Sequence, residues 1–178
     1  LRISGSESSA LPGRKVDNDL IKAVVTGKAK IARYLLAIDA DPNIEISEGW
    51  TVLMEAADKG NKTLFDSLLS RGANPKARRY DGFTTLMAAA RGGNEYIYKA
   101  VLLAAGYESV VSASGYSLLM AAAVGGNEKI FNKVRRRGIN IRGIDNEGYT
   151  VLMAAAEGGN EEIFNFVVGF DKNVQRVD

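Results

Sequence analysis

The chain has 178 residues and contains neither His nor Cys, so its reactive groups are carboxylates, amines, guanidiniums, hydroxyls and aromatic rings. An imidazole base, a Ser-His-Asp triad, a thiolate nucleophile and a Cys-ligated zinc are excluded. Four sets of residues remain that could do chemistry. Glu128, Glu161 and Glu162 could act as paired acid and base. The Gly-Gly-Asn segments at Gly92, Gly125 and Gly158 could cradle a phosphate. Arg135, Arg136 and Arg137, with Lys129, Lys133 and Arg142 nearby, could hold an anion, and the aromatic residues Trp50, Phe83, Tyr116 and Tyr149 could anchor a partner.

Spacing decides among them. The Gly-Gly-Asn segments recur at intervals of 33 residues, and so do Glu128 and Glu161. A catalytic acid pair has no reason to repeat in register, so these carboxylates read as complements to helix dipoles. The glycine segments follow a helix instead of joining a strand to a helix N-terminus, so their amides do not converge on an anion. Arginines at a helix C-terminus are favourable for its dipole, and an acidic or phosphate-rich partner is the sharper alternative for the 135–137 triplet. Arg135 also replaces a Leu of the buried stripe, which the dipole does not explain.

The elements that carry these residues follow from the same repeat. TVLMEAADKGN from Thr51, TTLMAAARGGN from Thr84, SLLMAAAVGGN from Ser117 and TVLMAAAEGGN from Thr150 align without a gap. All 4 methionines, Met54, Met87, Met120 and Met153, fall on one position of this unit. A degenerate earlier unit places Leu20, Ile21, Ala23, Val24 and Gly27 under Leu53, Met54, Ala56, Ala57 and Gly60. The leading Thr or Ser is an N-cap for a short first helix, the alanine pairs favour helix and close approach, and Gly60 and its equivalents supply a left-handed end. A second helix follows, with Leu64, Phe65, Leu68 and Leu69, or Ile97, Tyr98, Val101 and Leu102, as one buried stripe. Asp81-Gly82 marks a tight turn.

Gly, any residue, Thr or Ser, any residue, Leu-Met, any residue, Ala-Ala in four units resembles the ankyrin repeat. The resemblance implies an all-α solenoid of about five helix-turn-helix repeats with projecting β-turns. Val52, Thr85, Leu118 and Val151 stand where the family has Pro, and the methionines stand where it has His. An apolar seam of thioethers is therefore expected in the core, not a metal-binding box. The domain expectation is a flexible polar lead-in over 1–12 and a repeat domain over 13–178, with repeats at 13–45 (a degenerate N-terminal cap), 46–78, 79–111, 112–144 and 145–178. The lead-in does not read as a signal peptide, and Leu rather than Met at position 1 points to a processed product or an excised piece.

What the resemblance implies for function is a non-enzymatic protein-binding module without a cofactor, using the concave side and turn tips. Mapped onto this chain, that side includes Trp50, Phe83, Tyr116 and Tyr149, which either bind a partner or pack on adjacent turns. Glu55, Asp58, Tyr80, Arg91, Val124 and Glu157 join them, around a floor of Ala88, Ala121 and Ala154. A regulatory or inhibitory domain that occludes an enzyme or toxin, and a structural spacer within a longer protein, are the alternatives.

The first unit reads as a cap through Lys22, Lys28, Lys30 and Arg33. Phe166 and Phe170 replace polar or small residues on the last helix and call for a cover. That cover is a fold-back of 174–178, a continuation of the array or self-association, with a monomer as the expected solution state. The net charge of +2 gives no global field for nucleic acid. Apolar stretches such as 100–105 fall far short of the ~20 residues a membrane-spanning helix needs. The lack of Cys fits the cytoplasm without requiring it, and an exported or periplasmic setting stays open.

Overall fold

The computed structural model describes residues 12–107 and 110–172. The proposed hydroxyl caps are formed. The side-chain oxygens of Thr51, Thr84, Ser117 and Thr150 accept the backbone N–H groups of Met54 (3.2 Å), Met87 (3.2 Å), Met120 (3.1 Å) and Met153 (3.1 Å). Each cap residue is extended, so the chain turns from a hairpin arm directly into a helix. The first helices are α1 (Pro12–Val25), α3 (Val52–Asp58), α5 (Thr85–Arg91), α7 (Leu118–Val124) and α9 (Val151–Gly158). They alternate with the second helices α2 (Ala29–Ala37), α4 (Lys62–Leu69), α6 (Glu95–Ala105), α8 (Glu128–Arg135) and α10 (Glu161–Lys172).

First helices pack on first helices and second on second, giving two layers of antiparallel pairs. Between the second helix of one unit and the first helix of the next lies a hairpin. It is fullest where β1 (Glu45–Ser47) pairs antiparallel with β2 (Trp50–Thr51). In later units it reduces to single bridges, Arg78 with Thr84, Val111 with Ser117 and Ile144 with Thr150. The result is the all-α solenoid with projecting β-turns that the repeat implied.

The first-helix layer is unusually close. A Cβ on Gly92 would stand 2.1 Å from the Ala57 carbonyl oxygen, and Gly125 and Gly158 meet Ala90 and Ala123 in the same way. The next residue, Gly93, has φ +66° and ends the helix in the left-handed region. This proximity corrects one expectation. Ala88, Ala121 and Ala154 do not form an exposed floor; neighbouring helices cover them completely.

The methionine seam is real but ends early. Met54, Met87 and Met120 are fully buried, whereas Met153, in the last described unit, is 53% exposed. The Ser117 N–H donates to Met120 Sδ at 3.3 Å, a weak polar use of a thioether. At the other end the first unit is less polar than its lysines suggest. Ile31 is 48% exposed, although its equivalents Leu64, Ile97 and Ile130 are buried.

Candidate functional site

The four ladder aromatics form one continuous stack. Trp50 and Phe83 lie 5.7 Å apart between ring centroids, Phe83 and Tyr116 5.7 Å, and Tyr116 and Tyr149 6.1 Å. These are attractive offset or tilted contacts. Phe83 is only 5% exposed, while Trp50, Tyr116 and Tyr149 keep part of their surface accessible. The hairpin tips above the stack are tied by backbone bonds from unit to unit. The N–H of Tyr80 donates to Glu48 (3.1 Å), that of Ala113 to Asp81 (2.7 Å) and that of Asn146 to Ser114 (2.8 Å). Rings and tips thus make a rigid spine along the first-helix side.

Charged side chains are fastened to this spine. Trp50 Nε1 donates to Glu55 Oε2 at 2.8 Å, and Glu55 also pairs with Lys59 at 3.1 Å. Arg91 Nε donates to Asp58 Oδ1 at 2.5 Å, with the guanidinium carbon 5.5 Å from the Trp50 and Phe83 ring centres. Burial opposes the charge on Arg91, but the Asp58 carboxylate more than offsets it and raises the pKa above the ordinary guanidinium value. Burial pushes the Tyr116 phenol up to about 12. Burial and the hydrogen bond that Tyr149 donates to Glu157 also raise the Tyr149 pKa. Tyr80, 78% exposed, donates to Glu45 at 3.1 Å, and this bond raises its pKa.

Of the residues singled out in the sequence, Trp50, Glu55, Asp58, Phe83, Arg91, Tyr116, Tyr149 and Glu157 are joined through these contacts. Val124 stands half-buried at the α7 position equivalent to Asp58 and Arg91, and Tyr80 reaches out at a tip. The basic triplet belongs to the other layer. Arg135 lies 4.4 Å over the Phe166 ring and donates to Asn132 at 2.6 Å, Arg137 lies 3.9 Å over Tyr107, and Arg136 is exposed.

The family model for ankyrin repeats (3 copies) matches residues 20–110 and 86–176. This chain belongs to the ankyrin repeat family. No curated protein matches the sequence. Ankyrin repeats are generally protein–protein interaction modules, and the fold is typically non-enzymatic. Among the described residues no group of three acidic side chains could hold a metal, and no helix is long and apolar enough to cross a membrane.

One column of the ankyrin units was overlooked in the sequence. Asn94, Asn127 and Asn160 close the Gly-Gly-Asn segments, and each does two things. The side-chain oxygen caps a second helix by accepting the N–H of Ile97, Ile130 or Ile163. The amide nitrogen donates to the carbonyl of Gly60, Gly93 or Gly126 in the preceding unit, at 3.0, 3.0 and 3.1 Å. With Met in place of the family's His, this Asn column supplies repeated side-chain ties between neighbouring units. Its invariance among the three Gly-Gly units was the available signal.

Phe166 is partly covered from within the described units. It packs edge-on to Phe131 at 6.0 Å, beneath Arg135, and Phe170 packs on it at 5.0 Å while remaining 41% exposed. The expected fold-back of 174–178 lies outside the described residues.

Proposed function

We propose that this ankyrin array is a non-enzymatic protein-binding module whose working surface is the first-helix side with its hairpin tips, and that this surface takes a Lys- or Arg-bearing segment of a partner protein. The observation that carries the reading is an excess of carboxylate along the spine. Glu45, Glu48, Glu55, Asp58, Asp81, Asp145, Glu147 and Glu157 outnumber the cations Lys59, Arg78, Arg79 and Arg91 along the hairpins and first helices. Arg91 is committed to Asp58, Lys59 to Glu55, and Arg79 lies between Glu48 at 3.7 Å and Asp81 at 3.6 Å.

A rigid aromatic spine suits this task because a preorganised surface loses little conformational freedom on binding. Trp50, Tyr116 and Tyr149 offer ring surface to an aliphatic stem or a cation, and the carboxylates beside them complement the charge. Selection of peptides from a random library on the immobilised chain tests the reading. Enrichment of Lys and Arg is expected, and enrichment of acidic peptides, or no charge bias at all, would overturn it.

A further inference from the structure

The second-helix layer carries the opposite charge, and one place on it is unlike the rest. Between α2 and α4 opens a groove of about 660 Å³ lined by Lys30, Arg33 and Arg71, with Tyr34, Ser67 and Ser70 around them. No carboxylate lines it. Elsewhere on this layer Lys62 pairs with Asp66 at 2.5 Å, and Lys99 and Lys129 pair with Glu95 at 3.6 and 3.1 Å, while Lys133 on α8 has no carboxylate partner among the described residues. The groove between α8 and α10 is lined by Glu128 and Glu162 and holds no cation.

Lys30 and Arg33 stand three residues apart on α2 and so point to one side of that helix. Among the described residues neither has a carboxylate partner. Arg71 reaches across from beyond the end of α4, and its Nη1 donates to the Leu36 carbonyl at 3.0 Å. That bond fixes the guanidinium at the groove while leaving its other N–H groups available. The serine hydroxyls already donate to backbone carbonyls, Ser67 to Thr63 at 2.7 Å and Ser70 to Ser67 at 2.9 Å, so the three cations are the donors a ligand would meet.

We propose that this groove binds a small ligand carrying two or more phosphate-monoester groups, either free in solution or as the headgroup of a phospholipid. Three converging cations without a counter-charge repel one another, and an anion of matching charge relieves that repulsion. Two of the cations are arginines, whose planar forks suit phosphate oxygens. The volume falls within the ~300–1,000 Å³ usual for small-molecule sites and exceeds the needs of a single inorganic anion. Tyr34, 63% exposed at the rim, gives a ring or acyl edge something to lie on.

The test is calorimetric titration of the chain with inositol hexakisphosphate, alongside co-sedimentation with phosphatidylcholine vesicles with and without 5% phosphatidylinositol bisphosphate. The variant Lys30→Glu/Arg33→Glu is compared with Lys133→Glu/Arg136→Glu, which makes the same charge change on the same layer, and circular dichroism checks that all three chains are folded. Binding that weakens at least tenfold in the first variant and less than twofold in the second is expected. Seen with the soluble polyphosphate alone, it identifies a free ligand; seen with the vesicles, it identifies a headgroup. Absence of binding in both arms, or equal loss in the two variants, would overturn the proposal.

Discussion

The guanidinium of Arg135 lies 4.4 Å from the centre of the Phe166 ring. Both residues depart from the repeat, since Arg135 stands where other units carry Leu69 and Leu102, and Phe166 stands where they carry Ser67, Ala100 and Lys133. The two exceptions explain each other. Arg135 covers the ring with a flat cation, and Asn132 holds the guanidinium in place from below at 2.6 Å. A double-mutant cycle with Arg135→Ala and Phe166→Ala, read by urea denaturation, is expected to show a coupling of about 0.5–2 kcal/mol. Additive losses would mean that the contact contributes nothing.

The asparagine column predicts unequal costs. Asn94→Ala and Asn127→Ala remove both a helix cap and a bond to the preceding unit, whereas Asn61 caps α4 through Leu64 and donates to no carbonyl among the described residues. The first two substitutions should each destabilise by about 1.5–3 kcal/mol and Asn61→Ala by about 1 kcal/mol. Equal losses at the three sites, measured as shifts in the urea midpoint, would remove the inter-unit role.

Glycine-to-alanine changes should have opposite signs at two positions. Gly92→Ala forces a methyl against the Ala57 carbonyl at 2.1 Å and should cost about 2 kcal/mol or more. Gly169→Ala, in α10 with nothing within 4 Å of the added carbon, should stabilise by up to about 1 kcal/mol through helix propensity. Thermal unfolding of the two variants checks this directly, Tm falling in the first and rising in the second.

Alkaline pH should loosen the spine. The folded-state pKa of Tyr116 is pushed up to about 12 by burial, while the unfolded phenol titrates near the ordinary value of about 10. Its contribution is fully present below pH ~10 and is lost as pH rises toward ~12, because the unfolded chain gives up this proton first. The unfolding free energy from urea titration should therefore fall between pH 9 and 12, by an amount on the order of 1–2 kcal/mol for this group, and the urea midpoint with it. Tyr116→Phe should make the fall shallower; an unchanged slope would show that Tyr116 is not the source.

Much of this molecule was legible because each unit repeats the same local chemistry. The Thr and Ser caps, the left-handed glycines and the Leu-Phe or Ile-Tyr stripe each depend on neighbours only a few residues away, so a single chain displays them. Burial of Ala88 and Ala121 was not legible, because it depends on how closely one unit approaches the next, which the first glycine of Gly-Gly sets. The role of Asn94 and the covering of Phe166 were missed for the same reason, since both are contacts between units about 33 residues apart. On the candidate surface the ladder's in-register spacing was readable, but which rings keep accessible surface was not. Phe83 sinks between Trp50 and Tyr116, while Tyr149, at the end of the stack, stays half-open.

The acidic first-helix side is tested most directly by titrating a Lys- and Arg-rich peptide, selected on the native chain, against the variant Glu48→Gln/Glu147→Gln/Glu157→Gln. These changes spare the Asp58–Arg91 pair and the ring-to-ring contacts, and at Tyr149 they replace only the carboxylate acceptor of its hydroxyl by an amide oxygen. Affinity should drop about tenfold, or about 1.4 kcal/mol, and the difference between the two chains should shrink as salt is raised. An unchanged Kd in a variant that unfolds at the native urea midpoint would overturn the assignment of this surface.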